Sequence, residues 1–279
     1  MTHNLPAHAE EGVNVPTVAL PSSVSSSQSE RTASEEITPD ITQLGVQLDP
    51  LDSPHPIPWN WVLTTQAELS TKGKPGVRYY RSPSLVSPDG MYAAYSRIQM
   101  DAEPELYKSR VTSVMFLENL QTGDLHTVKA VSPMSDNPLT GNEDADLPGA
   151  ISILIPISWS KSGDRLLARQ FEAMFSTSDA SDFALIWDRK QNRTTTLAPK
   201  TLEDSLPLRY RLEYSAAVLL GWSQTQPDRV LFRAGEMGDE NPPVWAVELN
   251  NQTTLALEEE PIIYGQFVNQ VWAGPQARW

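Results

Sequence analysis

Catalysis by side chains needs a nucleophile or an acid–base pair, and few residues of this chain could supply one. The histidines are His3, His8, His55 and His126. The first three fall in an N-terminal stretch without aromatic residues, which leaves His126 for a folded site, and a general acid or base needs a partner to set its protonation. His126 follows Gly123-Asp124 in what reads as a hairpin, where an exposed strand residue is the simpler role. Cysteine is absent, so thiol nucleophiles, thiolate metal sites and disulfides are excluded. The sequence contains no Gly-x-Ser-x-Gly elbow, no Gly-x-x-x-x-Gly-Lys-Ser/Thr loop and no Gly-x-Gly-x-x-Gly, the patterns that expose a serine or cradle a phosphate. The expectation is a protein without catalytic machinery and without a cofactor.

Carboxylates are the more abundant chemistry. Asn142, Asp144 and Asp146 alternate as the first oxygen ligands of a calcium loop do, but Leu147 stands where the loop needs Gly, and Ile153 where it needs Glu. These residues are a weak metal candidate, and Pro133, Pro138, Gly141 and Pro148 around them suit a solvated loop. Acids also crowd the stretches 99–108, 132–149, 176–182 and 235–243, which read as loops: Asp101, Glu103, Glu105, Asp136, Glu143, Asp144, Asp146, Asp179, Asp182, Glu236, Asp239 and Glu240. Charge of one sign on loops favours a partner of the other sign. A basic partner surface is therefore expected at Asp101, Glu103, Asp144, Asp146, Glu236, Asp239 and Glu240, with Trp59 and Trp61 as aromatic anchors at the edge of the domain.

The net charge of −14 disfavours nucleic acid, which is held by clustered Lys and Arg. Residues 1–59 contain eight acids against Arg31 alone, so half of the excess lies there. Met1 to Gly12 lack the basic and apolar regions of a secretory signal. No window approaches the roughly 18 apolar residues of a spanning helix. A soluble chain without a membrane span is expected, with the cytoplasm as default location.

Residues 1–58 contain no Phe, Tyr or Trp but eight Ser and eight Pro, too little apolar surface to offset ordering entropy. They are expected to be a disordered tail, with residues 59–279 forming the folded domain. From Trp59 on, short runs rich in Val, Ile, Tyr, Trp and Thr alternate with Gly, Pro, Asn and Asp, the pattern of strands and turns. The best helix candidate, Lys200 to Arg211, is shortened by Pro207 to a loop with one turn.

Three units recur in this stretch. Val86-Ser87-Pro88-Asp89-Gly90 precedes the apolar run 91–98, Trp159-Ser160-Lys161-Ser162-Gly163-Asp164 precedes 165–171, and Trp222-Ser223 with the longer turn to Asp228 precedes 229–233. Each is followed by a second hairpin, turning at Gln121-Thr122-Gly123-Asp124, at Lys190-Gln191-Asn192 and at Asn250-Asn251. Ser and Asp side chains can bond the turn backbone, and Gly supplies the geometry. Repeats of this length signal propellers or solenoids.

On these residues the chain resembles the TolB-like, WD-type propeller repeats, whose mark is Ser-Pro-Asp-Gly before an apolar strand and Thr-Gly at the end of a later one. Ser87-Pro88-Asp89-Gly90 and Thr122-Gly123 match; the second unit has Lys161-Ser162 for Pro-Asp, and the third lacks the glycine. The resemblance spans about residues 84–257. It implies an all-β fold, a small propeller-like array of three to four four-stranded blades. Trp59 to Leu69 and Val77 to Arg81 would supply outer strands of a closing blade, and Ile262 to Trp272 its inner strand. Trp159, Trp187, Trp222, Trp245 and Trp272 are expected to pack between blades.

The function expected is a non-catalytic scaffold for protein–protein or protein–peptide interaction. The alternative is a propeller that binds calcium or a carbohydrate in its channel, as some enzymes do. That needs converging carboxylates, and Glu213 is the clearest acid beside an inner strand.

Overall fold

In a computed structural model of the protein, residues 48–129, 147–199, 216–235, 241–256 and 259–269 are described. These residues are all-β apart from one α-helix and a single 3₁₀ turn at Leu106–Lys108. The polypeptide folds locally into antiparallel meanders of four strands. The first comprises β2 (Ser84–Val86), β3 (Tyr92–Ala102), β4 (Arg110–Asn119) and β5 (Leu125–Lys129), with β1 (Gly76–Arg81) pairing the far half of β3. The second comprises β6 (Ala150–Trp159), β7 (Arg165–Met174), β8 (Ala180–Asp188) and β9 (Arg193–Leu197). The third comprises β10 (Val218–Ser223), β11 (Arg229–Arg233), β12 (Val244–Glu248) and β13 (Thr253–Leu255). Two short strands follow, β14 (Pro261–Ile262) and β15 (Gln266–Val268).

The first two meanders belong to one ten-stranded sheet, joined where β4 pairs in parallel with β6 at Val111 and Ile151, and the third forms a five-stranded sheet with β14; strand patterning explains how these parts pack. β4 alternates, with Val111, Ser113, Met115 and Leu117 buried and Arg110, Thr112, Val114 and Phe116 only partly so, as a strand with one covered face should. β6 and β7 are buried almost throughout, the signature of a sheet covered on both faces. On one face Leu154, Trp159, Leu166, Ala168, Leu185 and Trp187 meet Leu85, Ala94, Met115 and Leu117 of the first meander. On the other, Ile151, Ile153, Ile155, Ile157, Leu167 and Phe171 join Leu219, Trp222, Val230 and Phe232 of the third, along with Ile98 and Met100. Trp159, Trp187 and Trp222 are thus packing residues, as expected; Trp272 lies outside the described residues.

The helix is a correction. The stretch Trp59 to Leu69, expected to supply a strand, is helical: α1 spans Trp59–Lys72. Val62, Thr65, Gln66 and Leu69 form its buried stripe, spaced as one helical face requires. Two members are polar, which hid the periodicity. The Gln66 side chain is satisfied in place: its Nε2 donates to the Glu103 carbonyl at 2.8 Å, and its Oε1 accepts from Ser109 Oγ at 2.9 Å. Gly73, at φ 60°, ends the helix with its N–H on the Ser70 carbonyl, a left-handed cap.

Residues 48–58 also depart from the tail assigned to them. Ile57 is fully buried in the main core, and the segment is bonded to the second and third meanders through Asp49 and His55. Lacking aromatic residues, it is anchored by one Ile and one buried carboxylate instead. Lys200 to Arg211 and residues 1–47 lie outside the described residues.

Candidate functional site

The first two serine motifs build equivalent turns. Ser87 N–H donates to the Tyr92 carbonyl, Gly90 N–H donates to the Ser87 carbonyl, and Tyr92 N–H donates to Ser87 Oγ at 3.0 Å. Ser160 repeats the set with Arg165 and Gly163. Ser87 Oγ donates to Asp89 and Ser160 Oγ to Asp164, so the carboxylate moves along the turn while the serine stays. Asp164 is lowered to about 2, chiefly by the Ser162 hydroxyl, with Ser160 and Lys190 adding to it against partial burial. In the third unit Gln226 N–H donates to Ser223 Oγ, and the Ser223 hydroxyl is held by Glu259. Each of these serines orders a turn, with its hydroxyl donated to a carboxylate: Asp89, Asp164 or Glu259.

The segment carrying β14 and β15 runs across the same end. β14 pairs with β10 through Trp222 and Ser223, and β15 pairs with β2 through Ser84, Leu85 and Val86. Between them, Tyr264 accepts from Trp159 N–H and donates its own N–H to Ser158 Oγ, both at 2.9 Å. One strap therefore laces the first strands of all three meanders. Gly265 permits the crossing: at φ 104°, a Cβ there would lie 2.8 Å from the Val86 carbonyl oxygen and 2.9 Å from the Trp159 ring.

Because the C-terminal ends of β2, β6 and β10 meet at the strap, antiparallel alternation sends the connections that follow β3, β7 and β11 to the opposite end. The ends of β3, β7 and β11, and the starts of β6 and β10, all lie there. This loop end brings together the flanks of the four acidic stretches. Gly149 N–H donates to the Ser109 carbonyl, and its own carbonyl accepts from Phe175 N–H, which joins three connections. Helix α1 sits over them: Trp59 stacks on Phe175 with ring centroids 6.2 Å apart and meets Phe171 edge-on, while Trp61 lies against Tyr80. Both tryptophans are only partly buried. Asp101 faces Arg110 across the strands and accepts from Gln99 Nε2; Glu103 is held by its backbone to Ser109 and Gln66. Glu105 pairs with Lys108 at 3.5 Å. Asn142, Asp144, Asp146, Glu236, Asp239 and Glu240 lie outside the described residues, as does Glu213.

Beneath the loop end is a charge cluster that sequence reading missed. Arg169, in the middle of β7, is fully buried. Its Nε donates to Asp182 Oδ1 at 2.7 Å, and its Nη1 and Nη2 donate to Asp49 at 2.6 and 3.1 Å. Nη1 also donates to the His55 carbonyl. Asp49 further accepts N–H bonds from Leu51, Ser53 and Ile57. Asp182 accepts one from Leu219 of β10 at 3.0 Å. His55 Nε2 lies 2.9 Å from the Leu220 carbonyl, and burial holds this imidazole below its ordinary value. Asp182, counted above among the loop acids, is thus a buried partner of Arg169, because it sits on β8 facing the core. The signal was available: a charged residue within an apolar run covered on both faces needs buried counter-charges.

Burial drives the two carboxylates up, and Arg169 draws both down. For Asp49, burial is outweighed by the Arg169 hydrogen bonds and charge and by the Ile57 and Leu51 N–H groups, so it lies below the ordinary carboxylate range. For Asp182 burial prevails over Arg169 and the Leu219 N–H, and the group is raised to about 6. Among the described residues, no three His, Asp or Glu side chains come together in a way that could hold a metal ion. No described helix is long and apolar enough to cross a membrane.

No protein-family model matches the chain, and no curated protein does. Among solved structures, one called "Glycoside hydrolase" is similar at 10% identity, with a TM-score of 0.35, over 73% of this chain and 69% of that one.

Proposed function

We propose that the chain is a propeller-like scaffold, and that it binds a basic protein or peptide surface at its loop end. The observation that supports this reading is topological. Three consecutive four-stranded meanders each turn at a serine that ends or follows the first strand, and their alternation places the flanks of all four acidic stretches at one end of the array. A rigid frame that presents variable loops on one side suits recognition. Trp59 and Trp61 are only partly buried beside these flanks, which suits an aromatic anchor within a charged rim. Among the described residues an apolar core that includes Ile153, Phe171 and Phe232 is buried within the sheets, and a binding surface at the loop end is the reading preferred to a ligand site inside them.

The test is paired capture from native lysate by the full chain and by a variant with Asp101, Glu103, Asp144, Asp146, Glu236, Asp239 and Glu240 changed to Asn or Gln. A protein retained by the first and lost by the second, with binding that weakens as salt is raised, is the expected result. Equal capture by both would overturn the acidic-loop reading.

A further inference from the structure

Arg169 serves two carboxylates that belong to different attachments. Asp49 closes the segment 48–58 on itself and on β7, while Asp182 ties β8 to β10. The three side chains are almost wholly buried, and two carboxylates around one guanidinium leave an excess negative charge away from water. Such an arrangement favours one bound proton. Its place follows from the donors. Asp49 has three backbone N–H groups besides Arg169, and Asp182 has the Leu219 N–H alone beyond its own bond to Arg169.

We propose that this cluster is a proton-operated clip, in which proton uptake by Asp182 loosens the β8–β10 tie and leaves Arg169 to Asp49, fastening segment 48–58 more firmly. When Asp182 is ionised, the guanidinium is shared and Leu219 N–H bonds a full carboxylate. When Asp182 takes the proton on Oδ2, that oxygen no longer accepts from Leu219 N–H, Oδ1 keeps the Arg169 Nε bond as a neutral acceptor, the repulsion between the carboxylates ends, and Asp49 is left as the counter-charge of Arg169. The groups facing the cluster are His55 from segment 48–58, Arg169 from β7 and the Leu219 and Leu220 backbone of β10. Arg233 of β11 reaches only the Asp52 carbonyl. Burial lowers the His55 imidazole, so its titration opposes folding as pH falls below 6.5 and acts on the whole structure rather than on one tie.

The clip is separable from whatever the loop end binds, and its test uses no partner. Amide exchange, corrected for intrinsic rates, is measured on the full chain from pH 4.5 to 7.5 alongside carboxyl-carbon NMR. The expected result is one carboxyl titrating near pH 6. Protection at Leu219 should fall on acidification while that at Leu51 and Ile57 rises, each by up to about ten-fold per pH unit. In Asp182→Asn the opposed changes should vanish. Parallel changes at all three amides, or no carboxyl titrating between pH 5 and 7, would overturn the proposal, and both readouts are available from the unmodified chain should the variant fold poorly.

Discussion

Arg169 is where single-residue changes separate most sharply. Arg169→Met would leave Asp49 and Asp182 buried without their cation, and removal of one partner from a buried ion cluster costs about 3–5 kcal/mol. Urea denaturation at pH 7 should show that loss; a change under about 1 kcal/mol would mean that the carboxylates are hydrated after all. Asp182→Asn is milder at neutral pH, because it removes the unfavourable charge and leaves a one-to-one pair. It also isolates a pH effect whose sign is fixed. A carboxyl raised in the folded state contributes stability below its unfolded value, near 3.8, and loses it as pH rises through about 6. The wild type should therefore gain stability relative to Asp182→Asn between pH 7.5 and pH 4.5. Asp49, lowered in the folded state, gives up its contribution only on falling below the ordinary carboxylate range.

At the scale of elements, the recurring serines and the strap glycine are the joints. Ser87→Ala and Ser160→Ala each remove an acceptor for a turn N–H and should cost about 1 kcal/mol apiece in thermal or urea unfolding. Gly265→Val should cost more, about 1–3 kcal/mol, because its Cβ meets the Val86 carbonyl and the Trp159 ring; equal effects would contradict the crossing geometry. These joints mark what was legible in the sequence. The hairpins came out within a few residues, since Ser, Asp and Gly at fixed offsets leave the turn little choice. β11 has its expected span, and the tryptophans of β6, β8 and β10 are buried packing residues, as their type and place in the repeats suggest. Helix α1 was not legible, because Thr65 and Gln66 occupy its buried stripe and their partners, Glu103 and Ser109, are distant in sequence. Nor was the strap, because β14 and β15 are only two and three residues long and pair with strands far upstream. The candidate loops were legible as acidic, but the role of Asp182 was not, since charge in a sequence does not say which acids face inward.

Over the whole molecule, the boundary of the folded body follows from the same cluster. Composition places it at Trp59, where aromatic residues begin. The cluster places it before Asp49, because residues 49–57 supply a carboxylate and a carbonyl to Arg169 and bury Ile57. A chain beginning at 59 would lose Asp49, keep Arg169 and Asp182, and open the cavity left by Ile57. Loss of a buried ion partner and of an Ile side chain together predicts a deficit of several kcal/mol, on the order of 5. A chain beginning at 59 should unfold at markedly lower urea than one beginning at 48 and bind a hydrophobic dye. Coincident midpoints for the two fragments would show that segment 48–58 rests on the body without supporting it. The distinction also bears on any binding experiment at the loop end, because α1 begins at Trp59, directly after the segment that holds it, and a fragment cut there would disturb the surface under test.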